Sequence, residues 1–175
     1  MKIIISFFLM FFCLFSGYSQ NDYPKPAKTT TRLFYIQHSK NHNTYVYDAN
    51  IEGGVINSSQ PIKEYRIVYT QKGIKKPLSR IQKKLAYGMI LVESKPNLFK
   101  LRLASKKNID FYLKHENSED ARIYVTVNKN KMYLDKMFVQ LKKSLFGINF
   151  KVEFVLFYGE DYNSGKPLIE KVVLE

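Results

Sequence analysis

Cysteine is almost missing from this 175-residue chain: Cys13 is the only one, and it lies in an apolar run close to the start. A chain cleaved beyond that run has no thiol, which excludes disulfides, cysteine metal sites and cysteine nucleophiles. Tryptophan is absent and histidines number three. His38 and His42 are four apart but span a strand end and a turn, so they do not share a helical face as a metal pair would. His115 stands near Glu116 in a polar bend, and without cysteines zinc would need these histidines together with carboxylates. No metal and no cofactor is expected. Nucleophile motifs are missing too: there is no G-x-S-x-G serine, no glycine-rich phosphate loop and no dinucleotide fingerprint. Asp161, Asn163 and Gly165 echo a calcium loop, but its twelfth position is Val172, which cannot supply the bidentate carboxylate such a loop needs. The acid pairs Glu119-Asp120 and Glu160-Asp161 sit in bends, whereas a hydrolase pair needs two carboxyls across a cleft.

Long apolar runs are also scarce. The one near the N-terminus, Ile3 to Phe15, follows Lys2 and precedes Ser16-Gly17-Tyr18-Ser19. A positive start, a short apolar core and small residues before a cut describe a secretory signal peptide, with cleavage expected after Ser19. The run falls short of the ~20 residues that span a bilayer, so no transmembrane segment is expected after cleavage. The organisation predicted is a signal peptide over residues 1–19, an extended leader over 20–31 and one domain over 32–175. The leader is marked by Pro24, Pro26 and the Thr29-Thr30-Thr31 run, with no apolar period. The protein is therefore expected in the periplasm or outside the cell.

What the chain has in plenty is alternation. Leu33–His38 and Thr44–Asp48 read as two strands joined by a polar turn, with aromatic and β-branched residues in the arms and Asn/Ser in the bend. Ile62–Thr70 sets Tyr65, Ile67 and Tyr69 against Glu64, Arg66 and Thr70. Leu98–Ala104 sets Phe99, Leu101 and Leu103 against Lys100 and Arg102. Phe111 and Leu113, then Ile123, Val125 and Val127, make further arms. Met132–Leu141 slips its period near Asp135-Lys136, as a bulge would. Ile148, Phe150, Val152, Phe154, Leu156 and Tyr158 form the longest single face, and Pro167–Leu174 closes the chain. One stretch breaks the pattern. Leu78, Ile81 and Leu85 are spaced for a short helix over Leu78–Ala86, with Ser79 as its cap and an apolar side covering one end of a sheet. The fold class predicted is mainly β: an antiparallel β-sandwich or barrel of about 8–10 strands with one short helix.

Charge is the strongest functional lead. Without residues 1–19 the chain has 27 Lys and Arg against 15 Asp and Glu, a net +12. From Tyr65 to Ile109 there are twelve basic residues and Glu93 alone, so this segment carries +11. Such asymmetry points to an anionic partner or surface. The candidate anion-binding residues are Arg66, Arg80, Lys83, Lys84, Lys100 and Arg102, and they work as a site only if the fold makes them converge. The partners that fit are anionic lipid, acidic polysaccharide or another envelope protein. Nucleic acid is not expected, because the aromatics share the inward side of their strands and offer no stacking platform. A sugar platform would fall to Tyr35, Tyr45, Tyr47, Tyr65 and Tyr69. A small enzyme with a cleft at one end of the β domain is the rival reading, with Gln37, His38 and Asn43 as its polar lining.

The segments FYIQ (34–37), NTYVYDAN (43–50), AYG (86–88) and GKPLIEKVV (165–173) resemble, in that order, a secreted family of Bacteroidetes-type bacteria, domain of unknown function number 4833. The resemblance spans about Thr31 to Leu174. His38 stands where the family pattern has arginine, and Arg66 or its neighbour where it has tryptophan. The resemblance implies export and one β-rich domain, and no activity.

Overall fold

Polar bends between arms of alternating residues make neighbouring strands fold back on each other, and the computed structural model of the chain is built of such hairpins. It describes residues 23–117, 120–143 and 150–173. The expected signal peptide and cleavage site, the centre of the bend after His115 and the Ile148 end of the longest face lie outside these residues.

The strands are β1 (Arg32–His38), β2 (Asn41–Ala49), β3 (Ile51–Glu52), β4 (Val55–Ile56), β5 (Ile62–Val68) and β6 (Ile74–Pro77). After a short helix come β7 (Met89–Lys95), β8 (Leu98–Leu103), β9 (Lys106–Asn117), β10 (Asp120–Val127), β11 (Asn130–Lys143), β12 (Phe150–Asp161) and β13 (Pro167–Val173). β3 and β4 form a two-stranded flap, and the other eleven strands form one curled sheet. The chain forms more strands than the 8–10 expected, because the loop after β2 makes the separate flap and Ile74–Pro77 adds an edge strand to the sheet. All its neighbours are antiparallel except β1 and β11, which run parallel with Tyr35 opposite Lys136 and His38 opposite Val139.

β11 organises the sheet because one of its edges is divided. Lys131, Met132 and Tyr133 pair with β10, whereas Lys136 to Val139 pair with β1. Its opposite edge pairs with β12 along nearly its whole length. Two arms therefore leave the same edge, β1-β2-β5-β6 and β10-β9-β8-β7, and curl towards each other as a half-barrel. The core lies between them: Phe34 of β1 stacks on Tyr47 of β2 at 4.3 Å and meets Phe111 of the other arm at 5.8 Å. Phe34, Tyr47 and Phe111 are fully buried.

The division sits at the expected bulge. Leu134 faces Gly159 and Lys136 faces Tyr158, leaving Asp135 as the extra residue. There Gly159 passes so close to the backbone of Tyr133 that a Cβ would collide with its carbonyl oxygen. A second slip, at Glu153 opposite Gln140/Leu141, changes which side of β12 is core. Val155 and Phe157 are buried, whereas Phe154, Leu156 and Tyr158 are half-buried on the outside. The single long face read from the sequence is thus split, since a one-residue slip moves every later side chain to the other face. The Lys171 and Lys136 ammonium groups lie over the outward rings of Phe154 and Tyr158.

Residues 23–31 are without regular structure, but they lie against the outer side of β1 and β2. The Gln37 amide donates to the Pro24 carbonyl at 2.9 Å, the Arg32 guanidinium donates to the Ala27 carbonyl at 3.0 Å, and Pro26 is buried. The β10–β11 turn sets both Asn128 and Lys129 at positive φ, the geometry of a type I′ hairpin.

Gly159→Ala should lower stability by about 2–3 kcal/mol, since a methyl forced against backbone cannot be accommodated by a side-chain rotation. Denaturant melts of the two proteins measure it, and an unchanged midpoint would show that the bulge can shift to make room.

Candidate functional site

Ser79 starts the helix as its residue type suggests. Its hydroxyl accepts the Gln82 N–H at 3.2 Å while the Gln82 side chain accepts the Ser79 N–H at 3.0 Å, a reciprocal capping box. The α-helical turn α1 (Arg80–Gln82) runs straight into a wider π-helical turn, Lys83–Tyr87, closed by the Gly88 N–H on the Lys83 carbonyl at 3.1 Å. Gly88 has no room for a Cβ against that same backbone. Tyr87 anchors the far end: its ring stacks on Tyr45 at 3.5 Å and its carbonyl accepts the Tyr47 hydroxyl at 2.7 Å.

The expected apolar side of this helix does not cover the sheet. Leu78 is buried, but Ile81 is 71% exposed and Leu85 is 65% exposed. The cap explains the difference: Leu78 precedes Ser79 in extended backbone, so it is not on the helix at all. The inward positions are taken by Gln82, Ala86 and Tyr87, which turns Ile81 and Leu85 to solvent.

Arg80, Lys83 and Lys84 flank that apolar pair and line an open cleft of about 460 Å³ with Ile62, Glu64 and Met89. Lys83 Nζ lies 3.5 Å from Glu64 Oε2. Neither Arg80 nor Lys84 meets an acid among the described residues. Glu64, on the cleft floor, accepts the Met89 N–H at 2.5 Å. Burial pushes its pKa up, against the opposing pull of that hydrogen bond and of Lys83.

The other sequence-predicted cations lie elsewhere. Lys100 and Arg102 project from the face of β8 opposite to buried Leu101, and both are held by Asp110, at 2.8 and 2.6 Å. Arg66 is on the inner face of β5 between Tyr45 and Lys76, with its Nε buried and without an acceptor among the described residues. The fold thus brings Arg80, Lys83 and Lys84 together, keeps Lys100 with Arg102 as a second pair that shares Asp110, and isolates Arg66. The acids responsible, Glu64 and Asp110, stand just outside the Tyr65–Ile109 segment.

The tyrosines proposed for sugars do not form a platform. Tyr45 and Tyr47 are buried, and the Tyr65 hydroxyl is engaged by Asp48 at 2.9 Å and Arg32 at 3.1 Å. A tyrosine row that alternation alone does not single out crosses the outer sheet instead. Tyr112 stacks on Tyr124 at 5.0 Å and Tyr133 on Tyr162 at 4.8 Å. Its ring faces are occupied by one another, by Arg122 over Tyr133 and by Lys131 over Tyr162, so the row reinforces the sheet rather than offering flat rings. Gln37, His38 and Asn43 do not converge either: Gln37 turns outward to Thr44 and Pro24, whereas His38 turns inward. The Asp161 carboxylate accepts the Asn163 and Ser164 N–H groups, the turn chemistry expected of that loop. Among the described residues no group of three His, Cys, Asp or Glu could hold a metal ion.

Glu64 ties the cleft to pH. Its raised pKa means the folded chain holds the proton more tightly, so the carboxyl's favourable contribution is complete below the unfolded value and is lost as pH rises through the folded one. Denaturant unfolding from about pH 4 upwards should show the wild type losing stability relative to Glu64→Gln; parallel profiles would mean the carboxyl is solvated.

Searches of the curated proteins and of the solved structures find no match to this chain. A family model does match, over residues 34–171, which takes in the hairpin β1–β2, the basic helix and the sheet as far as β13. The chain belongs to the family described as Domain of unknown function (DUF4833).

Proposed function

We propose that this protein is an exported, non-catalytic module of the cell envelope that attaches peripherally to an anionic membrane surface through the Arg80–Tyr87 helix. The observation that carries the reading is the exposure of Ile81 and Leu85, 71% and 65%, between Arg80, Lys83 and Lys84. Apolar side chains on a helix with a basic rim enter the boundary between headgroups and acyl chains, while the cations stay level with the lipid phosphates. Long lysine and arginine stems allow that separation within one turn.

The magnitudes suit reversible attachment. A lysine or arginine near an anionic leaflet contributes about 1 kcal/mol, and burying an Ile or Leu side chain about 1.5–3 kcal/mol. Neither set alone gives firm binding once the cost of immobilisation is met, so both are needed. No helix among the described residues is long and apolar enough to cross a membrane. An acidic polysaccharide would engage the same cations but leave Ile81 and Leu85 in water, and this favours lipid.

Sedimentation of the purified protein with phosphatidylglycerol-containing and pure phosphatidylcholine vesicles tests the reading. Binding should need the anionic lipid and weaken as salt shortens the Debye length from about 10 Å towards 3 Å. Arg80→Glu with Lys84→Glu should weaken it at least tenfold. Ile81→Ser with Leu85→Ser should do the same but leave the salt dependence in place. Equal binding to both vesicles, or none at low salt, would sink the proposal, and acidic polysaccharide binding that ignores the Ser substitutions would replace it.

A further inference from the structure

A second concavity lies at the open end of the half-barrel and differs from the cleft in its chemistry. It encloses about 180 Å³ and is lined by Ile36, Met137 and Val139 on the sheet, Val155 and Phe157 on β12, and Val172 on β13. Ala86, Tyr87 and the β8–β9 turn close it on the opposite side. For scale, an apolar cavity of about 150 Å³ stays dry and takes up benzene. A space of this size and lining favours an apolar guest over water.

Two polar groups break the apolar wall. His38 is 95% buried by its 5% exposure, and its Nδ1 accepts the Lys40 N–H at 3.3 Å. That bond places the ring proton on Nε2, and burial together with the Lys40 charge pushes the pKa down, keeping the ring neutral. Among the described residues nothing hydrogen-bonds Nε2. The ring borders the cavity, so this unengaged N–H is open to a guest there. Lys106 stands half-exposed at the rim, while the hydroxyl of neighbouring Ser105 is already spent on the Ala86 carbonyl at 2.8 Å.

We propose that this pocket binds a short straight alkyl chain ending in a carboxylate, the chain among Met137, Val139, Val155 and Val172 and the head between the His38 N–H and the Lys106 ammonium. The apolar wall selects the chain, the His38 N–H selects an acceptor at its end, and the rim charge selects an anion. Volume limits the guest to one short chain, so a two-chain lipid does not enter whole. The site is separate from the exposed Ile81 and Leu85 and does not depend on the membrane reading.

Methyl-detected NMR titrations of the purified protein with straight-chain carboxylates from butanoate to decanoate test this, with the matching alcohols and a short-chain phosphatidylglycerol below its micelle concentration in parallel. The Val139, Val155 and Val172 methyls should shift saturably, with affinity rising with chain length up to about eight carbons and then levelling. His38→Leu should weaken carboxylate and alcohol alike by about fivefold or more. Lys106→Gln should weaken the carboxylate alone. Val139→Ala, at a partly buried position, enlarges the pocket and should move the preferred chain to a longer one, whereas Val139→Trp should abolish binding. The proposal fails if these methyls do not shift, if the preference ignores Val139→Ala, or if only the phospholipid binds.

Discussion

Along one edge β11 hydrogen-bonds β10 and then, past Asp135, β1, and a strand cannot serve two neighbours on one edge without changing direction between them. The bulge supplies that change, and it needs a partner strand able to approach the Tyr133 backbone more closely than a side chain allows. Gly159 meets that need. Once the two arms leave the edge at different angles, their inner faces must close on each other. The Phe34–Tyr47–Phe111 stack is where they do. Helix and pockets are consequences: the basic helix bridges β6 and β7 at the two arm ends, and the apolar pocket is the gap that closure leaves beside β12.

How much of this could be read from the chain varies with the length scale of the cause. Strand alternation, the Ser79 cap and the Asp135 slip were legible because each depends on residues within a few positions. The β12 core face was not, since Phe154, Leu156 and Tyr158 look as apolar as Val155 and Phe157, and only pairing with β11 reveals the second slip. The outward turn of Ile81 and Leu85 was half legible: the cap that excludes Leu78 from the helix is in the sequence, but the burial of Tyr87 against Tyr45 is a tertiary fact. The parallel pairing of β1 with β11 leaves no local signature.

The charge segment shows the same limit in electrostatic terms. A count over Tyr65–Ile109 treats its cations as equals, yet Asp110 next door holds two of them and Glu64 a third. Of the six candidate cations, the two left without an acid beside exposed apolar side chains are Arg80 and Lys84, and their meaning comes from those neighbours rather than from the total. Lysines elsewhere serve the fold. Lys75, Lys76 and Pro77 on β6, and Pro167 and Lys171 on β13, stand on strands with a free edge, where charge and missing donors discourage further strand addition.

The parallel pairing also sets an order of events during folding. Tyr35 and Lys136 are 101 positions apart, so their contact has a high sequence separation, whereas β1–β2 and the meander from β7 to β10 close over short turns. Loop-closure entropy makes such distant pairing slow compared with hairpins. Both arms can form early as separate hairpin units, but neither can bury its aromatic face until the last third of the chain is present. A chain still being synthesised or threaded through a membrane channel would stay open until β11 emerges, and that strand is the latch that converts two loose hairpin ribbons into one protein.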